Sequence, residues 1–267
     1  MNKIRLDVYL YENGYADSRE KAKALIMAGN VYVDNQKAYK AGETVTGNPE
    51  ILIKENLPFV SRGGLKLQKA LKSFNIDLNG MVCVDIGAST GGFTDCMLKN
   101  GAKKVFSVDV GYGQLDWRLR SDERVKTLER TNARYLSENE IPKNEVDFLT
   151  ADVSFISLNT ALSTVVDLIK DTARLMVLIK PQFEAGREFV GKKGVVRDIS
   201  VHKDVIIKVC NQMILKGLTI LNLDFSPIKG PEGNIEYLLY MTKEKKLESA
   251  DFEALADRIT KLSHNEL

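Results

Sequence analysis

Two hydrophobic patterns divide the chain. From about residue 81 onward, apolar runs near 82–86, 104–109, 125–129, 146–151, 174–180, 219–225 and 235–241 alternate with stretches of helical spacing. Runs of that length are those of buried strands. Their alternation with helices predicts a doubly wound α/β sheet of seven strands, with its ligand at the carboxyl ends of the strands. Asp251 opens a last amphipathic helix through Leu255, Ile259 and Leu262, read as a packing element.

Residues 1–60 follow a different pattern. Asp17-Ser18-Arg19-Glu20 reads as a helix start, with Asp17 able to cap and Glu20 able to reach back. Ala22, Leu25 and Ile26 then share one apolar face, and Gly29-Asn30 stops the helix. Val31-Tyr32-Val33-Asp34 predicts a strand closed by a turn at Asn35-Gln36, and shorter strands are expected over Thr44–Val45 and Ile51–Ile53. The expected division is a small α+β domain over 1–60 and a larger domain over 61–267, with 61–64 as the junction. Just past it, Leu67, Ala70, Leu71 and Phe74 share a helix face, and Lys66, Lys69 and Lys72 form a neighbouring stripe.

Composition narrows the class without naming it. A hydrophobic content of 44% and a charged content of 28% over 267 residues describe an ordinary globular protein. The net charge of +2 means that any affinity for nucleic acid must be local. Cys83, Cys96 and Cys210 lie in apolar contexts without metal-ligand spacing, which predicts buried thiols in a reducing cytoplasm, no disulfide framework and no metal. The first residues lack the apolar core of a signal peptide, and no apolar run approaches the roughly 20 residues that cross a bilayer, so no membrane role is expected.

The chemistry concentrates at Val82-Cys83-Val84-Asp85-Ile86-Gly87-Ala88-Ser89-Thr90-Gly91-Gly92-Phe93, a strand running into a glycine-rich turn and a helix. Side-chain-free backbone and free helix N–H groups can approach a ligand closely there. Asp109 ends the next apolar run, at the spacing from which such folds grip a ribose diol. A dinucleotide fingerprint would need a second glycine where Ser89 stands. The Gly-x-Ser-x-Gly elbow of serine hydrolases would need a downstream acid and then a histidine, and the chain has only His202 and His264. An S-adenosylmethionine site meets neither obstacle, because no pyrophosphate has to fit and Asp85 would lie beside the methionyl end.

Four further polar residues fall where this fold keeps its active site. Asp152 follows a strand, Lys180 ends one and is locked by Pro181, Glu236 sits within the last, and Lys66 precedes the glycine loop. Methyl transfer from a sulfonium needs in-line alignment and removal of a proton. A lysine base suits a ribose hydroxyl. A second cation such as Lys66 would lower the pKa of Lys180, with Asp152 and Glu236 positioning both amines. Each charge has a plainer explanation, since strands stop where polarity returns. The segment Glu184–Gly194, with Arg187, Lys192 and Lys193, reads either as an ordinary surface loop or as a lid on RNA phosphates.

Two resemblances sharpen this picture. Arg5-Leu6-Asp7-Val8-Tyr9-Leu10, Ser18-Arg19-Glu20-Lys21-Ala22-Lys23 and Gly29-Asn30-Val31-Tyr32-Val33-Asp34 together resemble the small S-four-type RNA-binding domain. That likeness implies that Arg5, Arg19 and Lys23 face phosphates of folded RNA. Ser61-Arg62-Gly63-Gly64-Leu65-Lys66-Leu67, the glycine loop, Asp109-Val110-Gly111-Tyr112-Gly113-Gln114-Leu115, Thr131-Asn132-Ala133-Arg134, Asp152-Val153-Ser154-Phe155-Ile156-Ser157, Lys180-Pro181-Gln182-Phe183-Glu184 and Gly233-Asn234-Ile235-Glu236 resemble the TlyA (haemolysin-A-type) family over nearly the whole chain.

That family joins an S-four-type domain to an FtsJ-like, Rossmann-like S-adenosylmethionine-dependent methyltransferase. The resemblance implies 2′-O-methylation of ribosomal RNA within ribosomal subunits, in characterised relatives on cytidine. It implies a catalytic tetrad at Lys66, Asp152, Lys180 and Glu236, with Lys180 as base. The implied cofactor site is Asp85, Gly87, Ser89, Gly91, Gly92 and Phe93, with Asp109 on the ribose and Asn132 at the adenine; Arg62 joins the RNA-facing residues. FtsJ-like relatives often carry Ala-Pro where this chain has Ser89-Thr90, which sets the contact of Ser89 apart. The rival classes are a catalytically silent RNA-binding assembly factor and, from the family label, a membrane-active haemolysin.

Overall fold

The computed structural model describes residues 3–27, 29–34, 36–53, 58–245 and 247–267. Contacts gather into two units, residues 1–58 and 59–267. In the first, β1 (Ile4–Arg5), α1 (Leu6–Glu12), α2 (Arg19–Met27), β2 (Val31–Val33), β3 (Gln36–Lys37), β4 (Thr44–Val45) and β5 (Ile51–Ile53) follow in order. β1 pairs antiparallel with β4, and β2 is the centre of a three-stranded sheet between β3 and β5. α2 buries Ala22, Leu25 and Ile26, as its periodicity predicts, against Leu6, Leu10 and Val31.

The start of α2 differs from expectation. Ser18 Oγ, one residue later than Asp17, accepts the Lys21 N–H at 3.1 Å, while Asp17 forms an ion pair with the Lys21 side chain. The helix therefore keeps a hydroxyl cap and Asp17 is released to the surface. Gln36 and Lys37 form a short strand; Asn35, the first residue of the expected turn, lies outside the described residues.

The second unit opens on α3 (Gly63–Ser73) and continues through β6 (Val82–Ile86), α4 (Gly92–Lys99), β7 (Lys104–Val108), α5 (Trp117–Arg120), β8 (Val125–Leu128) and β9 (Phe148–Ala151). The helices α6 (Leu158–Ala161) and α7 (Val165–Leu168) lead to β10 (Arg174–Ile179), α8 (Pro181–Glu184), α9 (Ile199–Leu215), β11 (Thr219–Phe225), β12 (Tyr237–Thr242) and α10 (Phe252–Glu266). The seven strands form one sheet in the order β11-β12-β10-β9-β6-β7-β8, parallel from β10 to β8. β12 departs from the expected pattern. It enters antiparallel between β10 and β11, reached from β11 by a loop where a helical crossover was expected.

Period-2 alternation feeds two cores. Leu175, Val177 and Ile179 of β10 face the layer of α9 and α10, while Met176 and Leu178 face α3 and α4. α3 buries Leu67, Ala70 and Leu71 as predicted, and Phe74 stacks on Tyr240 at 5.2 Å. α10 starts at Asp251, whose carboxylate accepts the Ala254 N–H at 3.0 Å. Its buried face is Ala256, Ile259, Thr260 and Ser263, so Leu262 points outward, contrary to the sequence reading. All three cysteines are buried and unpaired.

Candidate active site

The carboxyl ends of the parallel strands converge because glycine lets them. Gly87 follows β6 at φ +81°, and a Cβ there would stand 2.6 Å from the Asp152 carbonyl oxygen just beyond β9. A side chain would force these strand ends apart. Gly92, the first residue of α4, packs against the start of α3, where a Cβ would lie 2.8 Å from the Gly64 nitrogen. Gly91 adopts φ +93° and faces Leu115 and Leu119, so it shapes the turn from behind and is not part of the cavity wall.

Four charged side chains meet at this end of the sheet. The antiparallel register of β10 and β12 pairs Ile179 with Tyr237, which brings Lys180 and Glu236, each one residue beyond, to the same edge. Lys66 reaches in from α3 and donates to Glu236 Oε2 at 2.6 Å, with Asp152 Oδ2 at 3.6 Å. Asp152 Oδ1 lies 2.6 Å from Lys180 Nζ. The result is a chain Glu236–Lys66–Asp152–Lys180 in which Lys66, Lys180 and Glu236 are buried.

Burial opposes the charge on Lys66, but the facing carboxylates of Asp152 and Glu236 outweigh it and raise its pKa above the ordinary lysine value. Lys66 is therefore a compensated cation between two acids. The lysine stripe of α3 splits: Lys66 enters the site, Lys69 pairs with Asp224 at 3.1 Å over the Phe225 ring, and Lys72 stays at the surface.

Two cavities flank this chain. One, of about 340 Å³, is lined by Lys66, Lys180, Glu236, Arg62 and Lys229. The other, of about 470 Å³, is lined by Asp109, Asn132, Gln114, Val110 and Phe155. Gly87, Ser89, Asp152 and Ser154 border both, so the seam between the cavities runs past the reactive amine.

The second cavity suits a nucleoside. Asp109 accepts the Ser89 and Gly111 N–H groups, one on each carboxylate oxygen and both at 2.7 Å, which leaves further lone pairs for a diol. Asn132 Oδ1 caps a short helical turn through the Arg134 N–H at 3.1 Å, and its amide N–H₂ could donate to a ring nitrogen. Ser89 holds φ +49°, a left-handed conformation unusual for a residue with a side chain, and donates to Gln114 Oε1 at 3.3 Å.

Asp85 lies in the cavity wall, but its carboxylate is wholly buried and turned to Thr94 Oγ1 at 2.8 Å and Thr150 Oγ1 at 3.0 Å. Burial pushes its pKa up to about 7 against the pull of those hydroxyls. It braces the strand end from inside while its residue lines the first cavity. Phe93 is likewise buried in the wall.

A family model described as FtsJ-like methyltransferase matches residues 59–243, which is more than two thirds of the chain. The chain belongs to the FtsJ-like methyltransferase family. Residues 4–51 match the S4 domain model. A Bacillus subtilis protein named YqxC, a candidate rRNA methyltransferase, is 51% identical over 90% of this chain and 85% of its own length. The Mycobacterium tuberculosis 16S/23S rRNA (cytidine-2′-O)-methyltransferase TlyA is 40% identical over 96% of this chain and 98% of its own. Among solved structures, a candidate hemolysin from Streptococcus thermophilus is 43% identical, with a TM-score of 0.77, covering 100% of this chain and 97% of that one.

Within the S4 domain, Arg5 and Arg19 share one anchor. Each places Nε 3.0 Å from a different oxygen of the fully buried Asp7, and both side chains are about half exposed. The Arg5 hydrogen bond, helped by Arg19, outweighs burial and holds Asp7 at a pKa of about 2. Lys23 is half-buried on α2. In the FtsJ-like domain, Arg62 is exposed at the mouth of the first cavity. Arg187, Lys192 and Lys193 are exposed in the loop after α8, and among the described residues none of the three has an ion-pair partner.

Sequence reasoning missed three features of this FtsJ-like site. Thr94 and Thr150 are the inner partners of Asp85. Ser154 accepts a hydrogen bond from Lys180. Phe155 is 90% exposed at φ +62°, with its ring 5.0 Å from that of Phe183. Ser154 and Phe155 lie in a motif already singled out, but nothing in the letters distinguishes them from ordinary loop residues.

Proposed function

We propose that this chain is an S-adenosylmethionine-dependent ribosomal RNA methyltransferase that methylates a ribose 2′-hydroxyl, that of a cytidine, in assembled ribosomal subunits. The observation that carries this reading is the buried chain Glu236–Lys66–Asp152–Lys180, opening on the seam between two cavities. The name of the M. tuberculosis relative supports the acceptor and the nucleotide. Residues 1–60 act as the RNA-binding domain and 61–267 as the methyltransferase domain, in the cytoplasm where ribosomal subunits are available.

Bound S-adenosylmethionine supplies an activated methyl on a sulfonium, which departs as a neutral thioether. Asp109 holds the ribose of that group and Asn132 its adenine, while Gly87 and Ser89 leave room at the seam. Lys180 Nζ would take the proton of the acceptor hydroxyl while S-adenosylmethionine, held by Asp109 and Asn132, would supply the methyl group. Asp152 balances the charge Lys180 gains, and Lys66, fixed by Glu236, keeps Asp152 in place. Arg5, Arg19, Lys23, Arg62, Arg187, Lys192 and Lys193 face RNA phosphates.

The test is methyl transfer from labelled S-adenosylmethionine to unmethylated ribosomal subunits by the parent chain and by Lys180→Ala. Label is expected in alkali-resistant dinucleotides, which mark a methylated 2′-hydroxyl, and is expected to vanish in the variant while S-adenosylmethionine still binds. RNA binding without transfer by the parent chain would favour an assembly factor. Lysis of erythrocytes by pure protein would favour a haemolysin, although among the described residues no helix is long and apolar enough to cross a membrane.

A further inference from the structure

We infer that Ser154 is the residue that aims the amine of Lys180; this rests on Lys180 acting as the base of the proposed methyl transfer. Among the described residues, Asp152 Oδ1 is the nearest charge to Lys180 Nζ at 2.6 Å, yet this buried oxygen accepts no hydrogen bond of regular geometry. The contact to Asp152 is a close charge pair, and the contact to Ser154 is the one with hydrogen-bond geometry. Among the described residues, the hydrogen bond that Lys180 Nζ donates goes to Ser154 Oγ, at 3.1 Å. Coulomb attraction has little angular preference, whereas a hydrogen bond weakens steeply off line. Asp152 supplies the charge balance and Ser154 supplies the direction.

Direction matters because of the count of positions on nitrogen. A neutral lysine amine has two N–H bonds and one lone pair, and catalysis needs the lone pair pointed at the incoming hydroxyl. Fixing one N–H on Ser154 takes one of the three staggered positions about the Cε–Nζ bond and confines the lone pair to the other two. Ser154 borders both cavities, so this fixed N–H narrows the amine's orientation at the seam itself.

The hydroxyl can do this because its loop is held at both ends. The Asp152 N–H donates to the Ile86 carbonyl at 2.9 Å, which ties the loop to β6. Glu184, buried in α8, accepts the Leu158 N–H at 2.7 Å and ties the far end to the helix that Lys180 itself caps. The serine and the lysine therefore hang from one framework.

The experiment compares Ser154→Ala, Ser154→Thr and the parent chain in steady-state methylation of unmethylated subunits, with label read in alkali-resistant dinucleotides. Ser154→Ala is expected to lower kcat about tenfold to a hundredfold, with KM for S-adenosylmethionine and for subunits within about twofold. Ser154→Thr, which restores the hydroxyl, is expected within about threefold of the parent kcat. An unchanged kcat in Ser154→Ala, or a loss confined to KM, would overturn the role. So would equal losses in the alanine and threonine variants. Absence of alkali-resistant label from the parent chain would instead sink the methyltransferase reading, and this role with it.

Discussion

Lys66 Nζ stands 2.6 Å from Glu236 Oε2 across 170 residues of sequence, with both side chains buried. The pair is asymmetric. Lys66 has Asp152 as a second partner at 3.6 Å, whereas among the described residues Glu236 has Lys66 alone. Lys66→Met should therefore strand a buried carboxylate and cost about 3–5 kcal/mol, while Glu236→Gln should cost about 1 kcal/mol. Because the folded-state pKa of Lys66 is raised, its contribution is complete at neutral pH and is lost only as pH climbs through that value. Urea unfolding at pH 7 reads both costs in full. Equal losses would show that the pair does not carry this asymmetry.

Two buried groups should oppose each other in the stability profile. Asp85 is pushed up from 3.8 to about 7, so the folded state binds its proton more tightly and stability falls as pH rises across that window, by about 4 kcal/mol at most. His202, buried with its ring nitrogens against Tyr237 Oη and the Val196 carbonyl, is lowered by burial from 6.5 to about 4. Its contribution, about 3 kcal/mol at most, is present above the unfolded value and lost as pH falls from 6.5 towards 4. Melts of Asp85→Asn across pH 4–8 should lose the decline towards alkaline pH, and those of His202→Gln the decline towards acid. An unchanged profile in either variant would show that its group does not titrate in that window.

Phe155 tests strain. At φ +62° a Cβ is penalised whatever its size, so Phe155→Gly should be more stable than Phe155→Ala by about 1 kcal/mol, the reverse of the usual order. Both variants lose the exposed ring alike, so any change in turnover should be common to the two. Thermal unfolding separates the two alleles, and methylation kinetics should not. Alanine as the more stable variant would remove the strain from the account.

These cases show which parts of the molecule were legible as letters. Strand positions such as 175–179 were readable because burial on both faces demands unbroken apolar runs, whereas Thr219–Phe225, at the sheet edge, sets Thr219, Asn222 and Asp224 among its apolar residues. The insertion of β12 was not readable, because an antiparallel strand buried on both faces writes the same run as a parallel one. Asp152 and Lys180 were named from strand ends, Glu236 from within a strand and Lys66 from the helix before the glycine loop, and the family resemblance joined them; that Lys180 and Glu236 share an edge depends on the Ile179–Tyr237 register. The turn geometry at Gly91 was not legible, because a glycine that fits a turn and one that fits a ligand are the same letter. The cap at Ser18 was missed because Asp17 and Ser18 are chemically equivalent caps one residue apart.

The two arginines on Asp7 lead to a salt-dependence prediction. Arg5 spends Nε and Nη2 on the carboxylate and Arg19 spends Nε, so each fork keeps free N–H groups for phosphate while staying anchored. A lysine has the charge but no fork, and it cannot hold Asp7 and a phosphate in one plane. Arg19→Ala should weaken capture of ribosomal subunits and flatten the dependence of log affinity on log salt by about one unit, with S-adenosylmethionine affinity unchanged. Arg19→Lys should recover the salt slope but not the full affinity, because the charge returns without the anchor. Filter binding of labelled subunits across a salt series measures both quantities. A lysine variant with full parental affinity would mean that Arg19 acts as a point charge, and that Asp7 does no more than neutralise it in the free protein.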